Sequence, residues 1–280
     1  MKKLIFAVII SATIFSSCCD KKETNRSKET VNEKDSTVYS VSEHQSMATL
    51  WFQKSAEARA LFLQTYNFAE KLLTEKLKKD RFKLKKKKPK AIIADIDETV
   101  LNNSPYNARL IKTGTHYTPE TWTKWVNEKK AKALPGARDF FNNAKEKGVE
   151  IFYVSNRSVK NINSTVENLK NEGLPFADKK HVLLKDKTSD KTARRDSILK
   201  NYDVIMYLGD NLRDFNENFK YTKNGNRNDS VKTQKEKFGD LYIIFPNPMY
   251  GEWEKAVYEG NFGISDLEKQ NMRLKALKEN

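Results

Sequence analysis

Residues 91–99 read A-I-I-A-D-I-D-E-T. Four apolar residues run without alternation into Asp95, a pattern that suits a strand buried on both faces, as in a parallel sheet. Three more such runs follow at residues 151–154, 204–208 and 241–245, rich in Ile, Val, Phe and Tyr. Helical spacing fills the intervals, around residues 137–147, 159–172 and 192–201. Strands alternating with helices predict an α/β fold with a doubly wound, mostly parallel sheet. Residues 102–135 are too many for a plain crossover and carry Trp122 and Trp125, so they are expected to form a small helical insertion over the site. Upstream, Leu50, Ala58, Leu61, Phe68 and Leu72 recur near helical spacing and predict one long helix or a helix pair.

Each apolar run stops at polar groups. The first ends at Asp95 and Asp97, the second at Ser155, Asn156 and Arg157, the third at Gly209, Asp210 and Asn211 with Asp214 beyond, and the fourth at Pro246-Asn247-Pro248. Open α/β sheets bind ligands outside the carboxyl ends of their strands, so these chain-distant groups should meet in one place. Asp95 and Asp97 are two apart on a strand and face the same way. Two carboxylates in one site repel, and a Mg²⁺ ion or a cationic side chain resolves the conflict. Asp210 and Asp214 add carboxylates from a neighbouring strand end.

The strings D-I-D-E-T, V-S-N-R, a downstream lysine and G-D-N-L-R-D-F resemble the four motifs of the haloacid dehalogenase (HAD) superfamily of phosphohydrolases. The fuller strings A-D-I-D-E-T-V-L-N-N-S-P-Y and P-N-P-M-Y-G-E-W-E resemble the class C bacterial acid phosphatases of the lipoprotein e type. The resemblance runs from about residue 50 to 254. It implies that Asp95 attacks phosphorus and forms an aspartyl-phosphate, with Asp97 as acid and base. It also implies Mg²⁺ held by the Asp95 side chain, the Asp97 carbonyl and Asp210, with phosphate oxygens bound by Ser155 and the backbone near Asn156. Lys191 is assigned the charge-stabilising role, with Ser189 expected to cap the helix behind it. Lys187 is the rival, and Asp214 would orient Lys191 or the metal's waters. Trp122 and Tyr250 would clamp an aromatic leaving group, so the expected substrates are small phosphomonoesters such as nucleoside monophosphates. One departure is Asn102, where the family usually carries aspartate. The resemblance also implies a homodimer.

The bulk properties agree. The chain has 280 residues, 52 Lys and Arg against 37 Asp and Glu, and a formal net charge of +15, which favours anionic partners. A basic run at residues 76–90 raises the alternative of a surface protein binding nucleic acid or anionic surfaces. No groove-reading motif accompanies it, so nucleic acid is not the expected partner. A further alternative is phosphotransfer to alcohols through the same aspartyl-phosphate. Residues 1–18 combine a basic start, a short apolar run and F-S-S-C, the pattern of a lipoprotein signal peptide with Cys18, or less plausibly Cys19, as the lipidated residue. Residues 19–45 are polar and expected to be a disordered tether, placing a phosphatase domain at 46–275 on the bacterial cell envelope. Both cysteines lie in the leader, so a disulfide or a cysteine metal site within the domain is excluded.

Overall fold

A computed structural model describes residues 42–81 and 88–279. The expected signal peptide, Cys18 and Cys19, most of the expected tether and residues 82–87 of the basic run lie outside the described residues.

Two helices come first, α1 (Ser46–Lys54) and α2 (Ala56–Arg81). Strand β1 (Lys90–Ala94) leads into the short strands β2 (Leu101–Asn102) and β3 (Lys132–Ala133), between which lie α3 (Ser104–Thr113) and α4 (Pro119–Glu128). Helices and strands then alternate as α5 (Ala137–Glu146), β4 (Glu150–Ser158), α6 (Ile162–Asn171), β5 (Val182–Lys185), α7 (Thr192–Leu199) and β6 (Asp203–Gly209). Helix α8 (Arg227–Thr233), strand β7 (Tyr242–Ile244) and helices α9 (Glu252–Val257) and α10 (Asp266–Ala276) follow. No helix of the described residues is long and apolar enough to cross a membrane.

The main sheet is parallel throughout, in the order β5-β4-β1-β6-β7. The first strand in sequence is therefore the middle one, and the chain winds outward from it in both directions, as a doubly wound sheet requires. The unbroken apolar run of β1 has its reason here. Ile92 and Ala94 join one core with Tyr66, Phe141 and Phe245, whereas Ala91 and Ile93 join the other with Phe152, Ile198 and Phe215. Every side chain from Ala91 to Ala94 is thus covered, and alternation would have exposed a polar residue to one of two dry faces.

The N-terminal segment is a helix pair, and it supports the strand ends. Phe62 stacks on Phe245 at 5.8 Å, and Tyr66 packs on the same ring at 4.7 Å. The Tyr66 hydroxyl donates to the Thr99 carbonyl at 2.6 Å, bracing the turn that follows β1. Burying each such ring contributes about 1.5–3 kcal/mol.

Two boundaries differ from the sequence reading. Residues 42–45, assigned to the tether, belong to the fold. Ser42 is buried, its hydroxyl donates to the Leu110 carbonyl at 3.2 Å, and Glu43–Gln45 form a 3₁₀ turn. Their polar composition hides a contact that exists only once α3 is in place. The sheet also has a fifth strand, β5, which the sequence reading omitted. It is a four-residue edge strand whose side chains alternate between buried and half-buried. The two helices of the 102–135 stretch sit between β2 and β3, which pair antiparallel with Leu101 opposite Ala133.

Candidate active site

The chain leaves β1 at Asp95, whose amide still donates to the Leu208 carbonyl of β6 at 2.9 Å. The backbone then turns sharply. Val100 and Leu101 amides both donate to the Ile96 carbonyl, at 2.9 and 2.8 Å, and Glu98 takes a left-handed φ of 57°. That conformation costs a side-chain-bearing residue on the order of 1 kcal/mol, so surrounding contacts must hold it.

Asp95 is 7% exposed and faces Lys191, itself 3% exposed. The Lys191 ammonium donates to Asp95 Oδ1 and, at 2.7 Å, to Asp214 Oδ1. The second oxygen of Asp214 accepts from the Asn211 amide at 3.0 Å, so Asp214 is held from both sides. Asp210 accepts from Asn247 at 2.8 Å and from Thr99 at 3.4 Å. Asp95, Asp210 and Asp214 each present an oxygen such that all three lie within 4.8 Å of one another.

One ammonium does not balance three carboxylates. Burial pushes Asp95 up to about 7, with the Asp214 and Asp97 charges adding to it and Lys191 opposing. Burial, followed by Asp214 and Asp95, holds Asp210 well above the carboxylate range. Lys191 stays above its ordinary value because Asp214 and Asp95 outweigh the effect of burial. A cluster of hard oxygens strained by its own charge fits a divalent cation.

Asp97 belongs to a different network. Its Oδ1 accepts from Arg157 Nε at 2.9 Å, from a terminal Arg157 nitrogen at 2.8 Å and from Asn103 Nδ2 at 2.8 Å; Oδ2 accepts from Ser155 Oγ at 3.1 Å. The Arg157 side chain is fully buried, and its guanidinium carbon lies 5.8 Å from the Trp122 ring centroid. Asn103 in turn accepts from Trp125 Nε1 at 2.8 Å. Acid group, arginine and the helical insertion are thereby joined.

These groups open on a cleft of about 860 Å³, whose walls include Asp95, Asp97, Lys191, Asp210, Trp122 and Tyr250. The family model of the HAD superfamily, subfamily IIIB (acid phosphatase), matches residues 11–253. The chain belongs to this family. Two solved structures of the class C acid phosphatase from Bacillus anthracis are similar to it. The one with tungstate bound is 42% identical, has a TM-score of 0.80, and the match covers 86% of this chain and 99% of that one. The other is 41% identical, with a TM-score of 0.79 and coverage of 85% and 98%. Among plant proteins, Vegetative storage protein 1 of Arabidopsis thaliana is 29% identical over 133 residues, and the Stem 31 kDa glycoprotein of Glycine max 28% over 128 residues. Those matches cover 45% and 44% of this chain and about half the length of each plant protein.

In this member of the HAD acid phosphatase family the sequence-derived residues do not all fall together. Asp95, Lys191, Asp210 and Asp214 converge, whereas Lys187 is exposed on the loop before α7. Ser155 is fully buried against Asp97 and does not line the cleft; Asn156 lines it and accepts from Arg194 at 2.7 Å. Trp122 and Tyr250 both line the cleft, Trp122 packing edge-on against Tyr106 at 5.0 Å. Ser189 does not cap α7. The Thr192 amide donates instead to Asp190 Oδ1 at 2.7 Å, the residue one closer to the helix. Asn102 accepts from the Ser104 amide and hydroxyl at 2.9 and 2.6 Å, a local role that either an amide or a carboxylate oxygen fills. Arg157, Asn103 and Glu98 were not among the sequence candidates. Arg157 stood in the V-S-N-R string, but only the fold shows it buried against a carboxylate 60 positions away.

Two measurable consequences arise here. A Cβ on Gly209 would lie 2.5 Å from Asp214 Oδ2 and 2.6 Å from its Cβ, so glycine is what lets Asp214 fold over the end of β6. Gly209→Ala is expected to push Asp214 off Lys191 and lower the melting temperature, by about 1–3 kcal/mol of stability for an overpacked site. The second concerns pH. Asp95 binds its proton more tightly folded than unfolded, the reverse of an ordinary paired carboxylate. Its neutral form favours the fold at low pH, and that contribution is lost as pH rises from about 4 toward 7. The metal-free protein should melt at a lower temperature at pH 7.5 than at pH 5, with added Mg²⁺ giving its larger stabilisation at pH 7.5.

Proposed function

We propose that this protein is a Mg²⁺-dependent phosphatase hydrolysing small phosphomonoesters, nucleoside monophosphates among them, through an aspartyl-phosphate on Asp95. The observation that carries this reading is the meeting of Asp95, Lys191, Asp210 and Asp214 at the carboxyl ends of adjacent strands. Family membership and the similar class C structures support it.

In this reading an Asp95 carboxylate oxygen attacks phosphorus, and the bond between phosphorus and the leaving oxygen breaks. Asp97, fixed by Arg157, Asn103 and Ser155, gives that oxygen a proton and then takes one from the water that hydrolyses the aspartyl-phosphate. Lys191 faces the charge that develops on the phosphoryl oxygens, and Asp214 keeps its ammonium in place. Asp95 and Asp210 would hold the Mg²⁺, which supplies charge neutralisation between nucleophile and phosphate when bound. Trp122 and Tyr250 offer ring surface to a planar leaving group.

The purified protein should release inorganic phosphate from nucleoside monophosphates with Mg²⁺ and lose that activity in excess EDTA. An absence of release from every phosphomonoester tried, at any pH between 4 and 8, would sink the reading. The leader supports a further proposal, that the protein is anchored by lipid at Cys18 on the bacterial cell envelope. Its check is fractionation: Cys18→Ser should move the protein out of the membrane pellet, and an unchanged pellet argues against Cys18.

A further inference from the structure

Glu98 follows the two aspartates and has no solvent exposure, a costly place for a carboxyl group unless both oxygens are used. They are. Oε1 accepts from the Asn103 amide at 2.7 Å, and Oε2 accepts from the Tyr250 hydroxyl. The two donors come from distant parts of the chain. Asn103 precedes the helical insertion and its side chain donates to Asp97. Tyr250 lies 152 positions further along the chain, beyond β7, and walls the cleft. Because its hydroxyl is engaged inside the protein, Tyr250 presents its ring to the cleft.

From this geometry we propose that Glu98 is a positioning residue for leaving-group recognition, fixing the Tyr250 ring in register with the acid group Asp97. The inference rests on the phosphatase reading above and deepens it: discrimination among leaving groups resides in the Glu98–Tyr250 tie. The Tyr250 hydroxyl can accept as well as donate, so glutamine would still meet both partners, and only a side chain without polar atoms, such as leucine, cuts both bonds.

The test compares Glu98→Leu, Tyr250→Phe and the double variant of the full-length protein on two esters, adenosine 5′-monophosphate and glycerol phosphate. Each single variant should raise KM for the nucleotide about tenfold more than KM for glycerol phosphate, the effect of one lost buried hydrogen bond. The double variant should show no larger KM ratio than the stronger single one, because both changes cut the same tie. A fall in kcat should appear with Glu98→Leu, which also removes the acceptor of the Asn103 amide, and not be matched by Tyr250→Phe, which leaves that bond intact. Effects that multiply in the double variant, or equal KM shifts for the two esters, overturn the inference. Should Glu98→Leu fail to fold, the Tyr250→Phe ratio decides alone. A wild-type protein that releases phosphate from neither ester overturns the phosphatase reading itself, whereas release with unchanged KM ratios in the variants overturns only the role of Glu98.

Discussion

Asp95→Asn should remove phosphate release by a factor on the order of 10⁴ or more, the scale of losing a covalent nucleophile. The amide has nearly the volume of the carboxylate, so packing around β1 is kept. It carries no charge to attack phosphorus, and its NH₂ group meets the Lys191 ammonium donor to donor wherever it faces that side. Stability should move the other way. Burial and the neighbouring carboxylates outweigh Lys191 in setting the Asp95 proton affinity, so at pH 7.5 its charge opposes folding. Neutralising it should raise the metal-free melting temperature. Loss of activity with a raised melting temperature separates a missing nucleophile from a damaged fold, as expected where function is built at the expense of stability. Activity within tenfold of wild type would exclude Asp95 as nucleophile.

Lys191→Met should fail on both counts. The ammonium is buried between Asp95 and Asp214 and is the cation that directly contacts both. Removing one member of a buried ion pair leaves its partners uncompensated, at a cost of about 3–5 kcal/mol. For a domain of this size that is roughly 10 °C in melting temperature. The cost should be largest at pH 7.5 and shrink toward pH 5, since without Lys191 the carboxylates hold their protons still more tightly and become neutral as pH falls. Turnover should drop by about 10²–10³, as when one preorganised donor to a developing oxyanion is lost. Thermal melts at the two pH values and a phosphate assay check these outcomes. An unchanged melting temperature at pH 7.5 would mean that solvent or another cation takes over the charge.

The parallel sheet was legible because its central strands are long apolar runs, and runs covered on both faces need no periodicity to be recognised. β5 escaped because Val182–Lys185 is short, partly exposed and enclosed by lysines and a histidine, so its local signal is that of a loop. Among site residues, those at strand ends could be read directly, since topology alone brings Asp95 and Asp210 together. Arg157, Asn103 and Glu98 act through contacts with chain-distant partners, and their types are ordinary on a surface. Nothing local marks Glu98 as buried. Trp122 and Tyr250 show the converse. Both line the cleft, but the hydroxyl bond that fixes Tyr250 could not be read from its string.

The position of β1 has a consequence for how the molecule breathes. Amides in a central strand, bonded to neighbours on both sides, exchange with solvent only through openings close to global unfolding. Asp95, the proposed nucleophile, is attached to that strand, through an amide still bonded to β6. The aromatic walls hang from the insertion and from the segment beyond the edge strand β7, outside the strands of the main sheet. Slow exchange at residues 92–95, with faster exchange around Trp122 and Tyr250, is the expected pattern. In the proposed reaction, fluctuations that admit one leaving group or another would then leave Asp95 undisturbed, and substitutions in those walls would change the range of substrates while the reaction stays the same.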